Sequence, residues 1–187
     1  MSSVSRVFLS IDIDDEALLS RVAHIQSLLD RQSAKMKLVE RENIHFTLRF
    51  LGDTPNTKIE RIRDEISDIR YESFAIRIDG VGAFPSTRRP RVIWVGVSDN
   101  AERVKDLKLE IDDRLGDLGY SRDRKFHVHA TIARVRAVRN RDRIRESIEQ
   151  LVNESVGTMT VDCFRMTKST LTSSGPIYET LWEVRAS

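Results

Sequence analysis

Apolar residues recur along the chain with the helical period of 3.6 residues in some stretches and with the strand period of two in others. The helical stretches have apolar positions at Leu18/Val22/Ile25/Leu29, Ile59/Ile62/Ile66/Ile69, Val104/Leu107/Ile111/Leu115/Leu118 and Ile144/Ile148/Leu151. Runs that are β-branched or that alternate apolar with polar residues predict strands at 7–13, 42–51, 74–78, 92–97, 126–135 and near 158–166. Segment 169–184 predicts a closing hairpin, because residues 173–176 (Ser-Ser-Gly-Pro) have the composition of a turn.

Polar residues beside these patterns predict where some elements begin and end. Asp14 and Asp15 are suited to cap the first helix, and Asn100 is suited to cap the third. Gly119 is suited to end the third helix. The stretch 80–90 is the loosest part of the chain, and we expect the boundary between two halves there.

The predicted order strand–helix–strand–helix–strand occurs twice. From the middle of the opening strand to a histidine there are 36 residues in the first half (Leu9 to His45) and 35 in the second (Trp94 to His129). An antiparallel sheet with helices on one side is the natural solution for each half. We therefore predict an α+β, bilobal, duplicated fold: two antiparallel sheets with helices on their outer sides and a pseudo-two-fold axis through a central cleft. The chain then forms one domain of two lobes, approximately 1–84 and 85–187.

The composition is that of an ordinary globular protein. The 187 residues suffice for one substantial domain or two small lobes, and 40% hydrophobic with 32% charged residues argues against disorder and against membrane embedding. No apolar run approaches the roughly 20 residues that span a bilayer, and residues 1–5 do not resemble a signal peptide. Cys163 is the only cysteine, which excludes an intrachain disulfide and favours a cytoplasmic protein.

Positive charge is concentrated in one segment. The formal net charge is only +2, but residues 121–145 contain nine Lys or Arg residues against two Asp residues. This segment surrounds His129, where it would attract a phosphate-bearing partner. For the part 139–145, a solvated helix face is an equally good explanation.

Two short strings carry the candidate chemistry. His45-Phe46-Thr47-Leu48 and His129-Ala130-Thr131-Ile132 are His-x-Thr-aliphatic tetrads that lie 84 residues apart, in equivalent strands of the duplication. A single string of this kind arises by chance in many proteins. Two of them in equivalent places indicate a symmetric site.

Alternation within each strand predicts which face carries the tetrad side chains. The predicted buried faces carry Phe46, Leu48 and Phe50 in the first strand and Phe126, Val128, Ala130 and Ile132 in the second. The opposite faces carry His45, Thr47 and Arg49 in the first strand and His127, His129 and Thr131 in the second. If the halves pack around a pseudo-two-fold axis, these polar faces confront each other across the cleft.

Two imidazoles and two hydroxyls around one centre suit acid–base attack on a phosphodiester. Imidazole has an ordinary pKa near 6.5, so one ring can accept a proton while the other donates one. Thr hydroxyls and Arg guanidinium groups bind non-bridging oxygens as negative charge builds up. This chemistry needs no metal and no cofactor. His127 and His129 also have the spacing of two metal ligands, but no third ligand occurs at a familiar spacing.

The longer strings around both tetrads resemble a known family. Residues 42–52 (Glu-Asn-Ile-His-Phe-Thr-Leu-Arg-Phe-Leu-Gly) resemble the first signature of the 2′-5′ RNA ligase-like, or RNA 2′,3′-cyclic phosphodiesterase, family of the 2H phosphoesterase superfamily. Residues 126–134 resemble its second signature. The opening residues 6–11 and the closing residues 168–171 and 175–178 are also similar, so the resemblance covers essentially the whole chain.

The resemblance implies a hydrolase that opens the 2′,3′-cyclic phosphate of an RNA end to a 2′-phosphomonoester. Members of the family also join RNA ends through a 2′-5′ bond. Carried over to this sequence, His45 is the proton donor to the leaving 3′-oxygen, and His129 is the proton acceptor that activates water. The substrate-binding residues carried over are Thr47, Thr131, Arg134 and His127.

Two positions near the second tetrad need comment. Strict alternation places Arg134 on the apolar face, so a bulge or a strand end must turn it toward the site. Val128 stands where the family often has proline, which should affect only the local strand geometry.

The implied partner is an RNA with a 2′,3′-cyclic phosphate end, with tRNA fragments among the candidates, bound by a cytoplasmic monomer that does not contact membranes. Two alternatives stay open. One is a module that binds RNA termini or nucleotides with weak turnover, and the other is a cyclic phosphodiesterase acting on small nucleotides. The presence of both His and both Thr residues favours an enzyme, because binding alone does not require proton donors and acceptors on both sides.

Overall fold

The computed structural model describes residues 3–187 and contains nine strands and four α-helices in that range. In chain order they are β1 (Val4–Asp12), α1 (Glu16–Leu28), β2 (Ala34–Leu38), β3 (His45–Pro55), α2 (Asn56–Ile66), β4 (Phe74–Phe84), β5 (Val92–Asp99), α3 (Ala101–Gly116), β6 (His129–Val138), α4 (Arg141–Glu149), β7 (Ser155–Val161), β8 (Cys163–Thr172) and β9 (Gly175–Arg185). A 3-10 turn, Arg41–Asn43, precedes β3.

The strands form two antiparallel groups, which confirms the predicted α+β class. One group has the order β9-β8-β1-β3, and the other has the order β6-β5-β4-β7 with β2 on the free side of β6. A single residue pair, Phe46 of β3 with Ala130 of β6, joins the two groups. Because His45 and His129 directly precede these residues, the junction between the groups lies at the two tetrads.

The two groups of strands do not follow the order of the chain. β4 belongs to the first half of the sequence but pairs with β5 and β7 of the second half. β8 belongs to the second half but pairs with β1 of the first. The halves of the duplication thus exchange strands, and the division into lobes at 1–84 and 85–187 stays a prediction.

The predicted helical stripes form the core. All their apolar residues are buried except Leu118, which is half-buried. Asp15 caps α1, since its carboxylate accepts a hydrogen bond of 2.9 Å from the backbone N–H of Leu18. Asn100 precedes α3 as predicted but does not cap it, because its backbone has φ +60° and its amide instead donates to the carbonyl of Ala75 at 2.7 Å.

Several predicted strand boundaries are wrong. The first tetrad strand begins at His45 because the preceding residues form the 3-10 turn, and it continues through 52–55, beyond the predicted end at residue 51. Residues 126–128 precede β6 and are not part of it. The region 158–166 contains parts of two strands, β7 and β8, separated only by Asp162.

Two further differences concern short or glycine-containing segments. β4 continues through 80–84, the beginning of the stretch predicted to be loose, because these residues pair with β5. β2 is missing from the prediction, since five residues with two lysines give a weak strand pattern. The expectation about a signal peptide concerns residues 1–5, of which 1 and 2 lie outside the described part. Among residues 3–187, no helix is long and apolar enough to cross a membrane.

Candidate active site

Each tetrad strand contains a β-bulge at the fourth residue of its tetrad. The register of β3 against β1 skips Leu48, and the register of β6 against β5 skips Ile132. An extra residue in one strand reverses the alternation of faces beyond it. The residue five positions after each histidine, Phe50 in β3 and Arg134 in β6, therefore lies on the same side of the sheet as that histidine.

Phe50 is a site residue and not the core residue that alternation predicts. It is 69% exposed and contributes to the wall of a central cleft. Its ring centroid lies 6.0 Å from that of Phe8 in the neighbouring strand β1. The bulge at Leu48 is the physical reason for the wrong prediction. Up to the bulge the alternation holds, since Phe46 and Leu48 are buried as expected.

Arg134 reaches the cleft for the same reason. Ile132 and Ala133 are both buried, so the simple alternation stops at the bulge. Arg134 follows on the opposite side, is exposed, and lines the cleft. The bulge that its predicted position required is therefore present.

The bulged strands meet at a cleft with a volume of about 300 Å³. All six predicted site residues line it: His45, Thr47, His127, His129, Thr131 and Arg134. Further walls come from the β8–β9 hairpin, with Pro176 and Tyr178, and from the segment that precedes β6. The residues that the sequence predicts to act together are thus brought together.

A backbone carbonyl orients each tetrad histidine in the same way. The Nδ1–H group of His45 donates to the carbonyl of Asn43 at 2.8 Å, and that of His129 donates to the carbonyl of His127 at 2.7 Å. In both cases the acceptor lies two residues before the histidine. Because a carbonyl only accepts, the proton of the neutral ring resides on Nδ1, and Nε2 is left to act on a substrate.

Contacts with other parts of the protein hold His45 in place. Nε2 of His45 lies 2.9 Å from the hydroxyl oxygen of Thr47, which can donate to it. The amide of Asn43 donates to the carbonyl of Pro176 at 3.1 Å, which ties the turn before His45 to the β8–β9 hairpin. The position of His45 is thus set from two sides of the cleft.

Aromatic rings surround both histidines. The ring of His45 stacks on Phe8, with centroids 4.9 Å apart and an interplanar angle of 26°, and meets the edge of Tyr178 at 5.4 Å. The ring of His129 meets Phe84 edge-on at 5.0 Å and lies 6.1 Å from Trp94. Such contacts restrict ring rotation and exclude water from one side of each imidazole.

His127 lies beside His129 but has a different environment. Its ring centroid is 5.9 Å from that of His129 and 4.8 Å from that of Trp94, and its side chain is largely exposed. Its backbone carbonyl, not its ring, makes the contact that orients His129. Within residues 3–187, no group of three or more His, Cys, Asp or Glu side chains is arranged to hold a metal ion.

Burial is the main influence on the titration of His45. It lowers the pKa of this imidazole, because the charged form loses hydration. The hydrogen bond to the carbonyl of Asn43 and the negative charge of Asp12 raise the pKa, while the positive charges of Arg134 and His129 lower it. The net pKa lies below the ordinary value, so the neutral ring is favoured.

His129 and His127 are shifted in the same direction. Burial lowers the pKa of His129, its bond to the carbonyl of His127 opposes this, and the nearby charges of His127 and Arg134 lower the pKa further. Burial also lowers the pKa of His127, together with the positive charge of Lys105. No carboxylate is among the groups that shift the pKa of His129, in contrast to His45.

Sequence reasoning missed the residues that hold the histidines in place. Phe8 and Trp94 belong to strands that look like ordinary core strands, and Phe84 belongs to a stretch predicted to be loose. Tyr178 contributes only to the family resemblance. The matched spacing is a sequence signal that could have identified Asn43. It lies two residues before His45, as His127 lies two residues before His129.

Comparisons with known proteins agree with this geometry. A family model described as LigT like Phosphoesterase matches the chain twice in succession, at residues 11–94 and 95–178. A protein of Methanothermobacter thermautotrophicus is 42% identical over 175 residues, which cover 92% of this chain and 94% of that protein. A protein of Archaeoglobus fulgidus is 38% identical and covers 94% of this chain and 97% of its own length. Both relatives are named RNA 2′,3′-cyclic phosphodiesterase.

Solved structures show the same fold. The apo form of Escherichia coli LigT has a TM-score of 0.78 at 20% identity, with coverage of 100% of this chain and 99% of that one. A crystal structure described as a phosphoesterase has a TM-score of 0.79 at 21% identity and covers 99% of both chains. Together with the family model and the archaeal relatives, this confirms the family resemblance of the two signatures: the chain belongs to the LigT-like phosphoesterase family.

Proposed function

We propose that this protein is an RNA 2′,3′-cyclic phosphodiesterase that produces a 2′-phosphomonoester by metal-independent acid–base catalysis with two histidines. The observation that carries the proposal is the matched placement of His45 and His129 in one cleft. In each ring a carbonyl holds Nδ1–H and leaves Nε2 for the substrate. The name of the relatives from M. thermautotrophicus and A. fulgidus supports the same reaction.

The proton transfers follow from these two nitrogen atoms. Nε2 of His129 accepts a proton from a water molecule, and the water oxygen forms a bond to phosphorus. The bond between phosphorus and the 3′-oxygen breaks, and protonated Nε2 of His45 donates its proton to that oxygen. His129 ends protonated and His45 neutral, so one proton must pass through solvent before the next turnover.

Hydroxyl and guanidinium groups supply the charge stabilisation. Thr47 and Thr131 line the cleft beside the histidines and can donate to non-bridging oxygens, while Arg134 offers paired N–H groups to the same phosphate. Within the protein the hydroxyl of Thr47 contacts Nε2 of His45. A bound phosphate would separate these two groups and accept a hydrogen bond from each, from the Thr47 hydroxyl and from protonated Nε2 of His45.

The lowered pKa of His45 fits this sequence of events. Burial and the positive charge of Arg134 favour the neutral ring in the free protein. A phosphate anion in the cleft offsets both effects, because it interacts favourably with an imidazolium ion. The substrate thus promotes the protonation that the general acid requires.

Features around the histidines favour a nucleotide end of RNA as the substrate. Phe50 presents an exposed aromatic face at the cleft, and bases of single-stranded RNA stack on such rings. The segment 121–145 adds a strongly positive surface. A crystal structure of E. coli LigT in complex with 3′-AMP supports a nucleotide site in this fold.

Four more specific expectations from the family resemblance and the sequence stay predictions. These are a 2′-5′ RNA ligase activity, tRNA fragments as the source of the RNA end, a cytoplasmic location and a monomeric state. A small cyclic nucleotide is the second candidate substrate, because a cleft of about 300 Å³ has the size of a single nucleotide. A module that binds RNA ends with weak turnover is the third candidate.

One experiment separates these candidates. The protein is incubated in EDTA with an RNA that ends in a 2′,3′-cyclic phosphate, and in parallel with nucleoside 2′,3′-cyclic monophosphates, and the products are identified. We expect an RNA 2′-phosphomonoester that forms at an undiminished rate in EDTA. A 3′-phosphomonoester would contradict the assigned roles, and loss of activity with rescue by a divalent ion would contradict the metal-independent mechanism. Tight binding without turnover would favour the binding module.

A further inference from the structure

A buried cluster of three charged side chains lies beside the cleft. Asp112 and Lys108 of α3 are 2% and 1% exposed. The Nζ of Lys108 donates to Oδ2 of Asp112, and Nη1 of Arg49 in β3 donates to Oδ1 at 3.2 Å. Removing charged groups from water costs free energy, so a buried ion pair is by itself a weak source of stability for the fold. A role beyond stability is therefore worth considering for these three residues.

The partners of the cluster are backbone groups of one segment. Residues 117–128, between α3 and β6, contain no helix or strand. Nη2 of Arg49 donates to the carbonyl of Ser121 at 2.6 Å, and Nζ of Lys108 donates to the carbonyl of Asp123 at 2.8 Å. The N–H group of Asp123 donates to Asp112 at 3.2 Å. Each charged residue of the cluster thus holds this segment.

The segment forms one wall of the cleft. Asp123, Lys125, Phe126 and His127 are lining residues. The Nζ of Lys108 also lies 5.3 Å from the ring centroid of Phe126, so the cluster touches the wall directly. Through Arg49, which lies two residues after Thr47, the same contacts tie the wall to the strand that carries the first tetrad.

The cations of the cleft have different partners. Lys37 pairs with Glu40 at 3.0 Å and donates to the carbonyl of Ser174, and Arg49 is held by the cluster. Arg134 lines the same cleft as both tetrad histidines, so it is suited to the reacting phosphate. Lys125 is exposed at the wall, so it is the cation suited to a second phosphate.

We propose that Arg49, Lys108 and Asp112 are positioning residues that hold segment 117–128 as a wall for the RNA backbone. The wall places Lys125 against the phosphate that precedes the cyclic phosphate end. This inference rests on the proposed function, since it concerns the same RNA substrate. Its consequence is a preference for oligonucleotides over nucleoside cyclic monophosphates, which have no preceding phosphate.

The test uses Lys108→Met, because Asp112→Asn would leave two buried cations unpaired and endanger folding. In the Met variant the pair between Arg49 and Asp112 remains, and the contact with the Asp123 carbonyl is lost. We expect KM for an oligonucleotide with a cyclic phosphate end to rise about tenfold, the scale of one charge-assisted hydrogen bond, with kcat nearly unchanged. KM for a nucleoside cyclic monophosphate should not change.

Two further variants make the test specific. Lys125→Gln should raise KM to a similar extent, and combining it with Lys108→Met should add little, since both act on one contact. Arg21→Met is the matched control, because Arg21 also donates to a backbone carbonyl, that of Ser155 at the start of β7, at 2.7 Å, but does not line the cleft. It should leave KM for both substrates unchanged.

A readout without turnover separates this inference from the proposed function. Hydrogen exchange of residues 117–128 should accelerate in Lys108→Met and stay as in the wild type in Arg21→Met. Unchanged exchange in a folded Lys108→Met protein would overturn the holding role. Accelerated exchange with an unchanged oligonucleotide KM would overturn the substrate role. If the wild type hydrolyses neither substrate, the proposed function fails, while the exchange data still decide whether the cluster holds the wall.

Discussion

At the scale of single residues, the two histidines have matched hydrogen bonds but unequal electrostatic surroundings. Asp12 pairs with His45 across β1 and β3, and its negative charge raises the pKa of that ring. Arg165 and Ser10 contact Asp12 at 3.0 and 2.7 Å and hold its carboxylate in place. No carboxylate is among the groups that shift the pKa of His129. The net pKa of both rings is nevertheless lowered, because burial is the largest influence on each.

The first prediction concerns these two residues. His45→Ala and His129→Ala should each lower kcat by at least about 10²-fold, the usual scale of a lost general acid or base. The double variant should be little slower than either single variant, because the two groups act in the same step. Steady-state rates on an RNA with a cyclic phosphate end provide the measurement. A near-normal rate in either single variant would show that the assignment is wrong.

The second prediction concerns pH. In the free protein the pKa of both histidines lies below 6.5 because of burial, so protonated His45 is lost as the pH rises through that lowered value. Bound phosphate raises the pKa, so the protonated form persists to higher pH in the complex. The alkaline limb of kcat, which reports the complex, should therefore lie at higher pH than the alkaline limb of kcat/KM, which reports the free protein.

Full pH profiles of both parameters, with a correction for any titration of the substrate, test this order. Coincident limbs would mean that the phosphate does not influence His45. The reverse order would place the general acid elsewhere.

At the scale of elements, two bulges decide which side chains reach the cleft. The sequence pattern was sufficient to predict the helical stripes, the two tetrad strands and the convergence of their histidines, because burial imposes periods that appear directly in the residues. A bulge adds one residue without changing the composition, and Leu48 and Ile132 look like ordinary core positions. For that reason the alternation pattern predicts Phe50 on the buried face, whereas it lies at the cleft.

Other elements depended on distant partners. β2 is a strand because its backbone pairs with β6, and the exchange of β4 and β8 between the groups of strands is set by long-range pairing. The aromatic rings that hold His45 and His129 come from four different strands, β1, β4, β5 and β9. Such contacts have no fixed spacing in the sequence, so only the structure identifies them.

The third prediction tests the packing of β4 against β5. A Cβ atom at Gly82 would clash with the indole ring of Trp94, so Gly82→Ala must displace this ring. Because the ring contacts His127 and His129, we expect a loss of stability of about 1–3 kcal/mol, the usual cost of overpacking, together with a lower kcat. Urea unfolding and steady-state kinetics measure the two effects.

Gly116→Ala is the matched control for this substitution. Gly116 ends α3, and nothing lies within 4 Å of a Cβ atom built there. The control should keep kcat and leave stability equal or slightly higher, since alanine restricts the unfolded chain. Equal effects of both substitutions would mean that the Trp94 ring does not support the histidines.

At the scale of the whole molecule, the net charge of +2 hides an uneven distribution. The basic segment 121–145 contributes to the wall before β6, to β6 itself and to α4. Some of its charges are neutralised, since Arg122 pairs with Asp113 and Arg143 pairs with Asp30 at 2.8 Å. The exposed residues Arg124, Arg136 and Arg139 are better suited to contact a polyanion.

The fourth prediction follows from this distribution. Replacing Arg124, Arg136 and Arg139 with Gln should raise KM for a long RNA with a cyclic phosphate end and leave kcat nearly unchanged, because backbone contacts bind ground and transition states alike. The slope of log KM against log salt should become shallower by about 0.7 for each lost phosphate contact, the value for single strands. A dinucleotide with a cyclic phosphate end reaches mainly the central cleft and should show a weaker salt effect in the wild type.

Replacing Arg61 and Arg70, exposed cations that do not line the cleft, is the control and should change neither slope. If long and short substrates are equally sensitive to salt, the basic segment is only a solvated surface, and the case for RNA over a small cyclic nucleotide then depends on the cleft and the family alone.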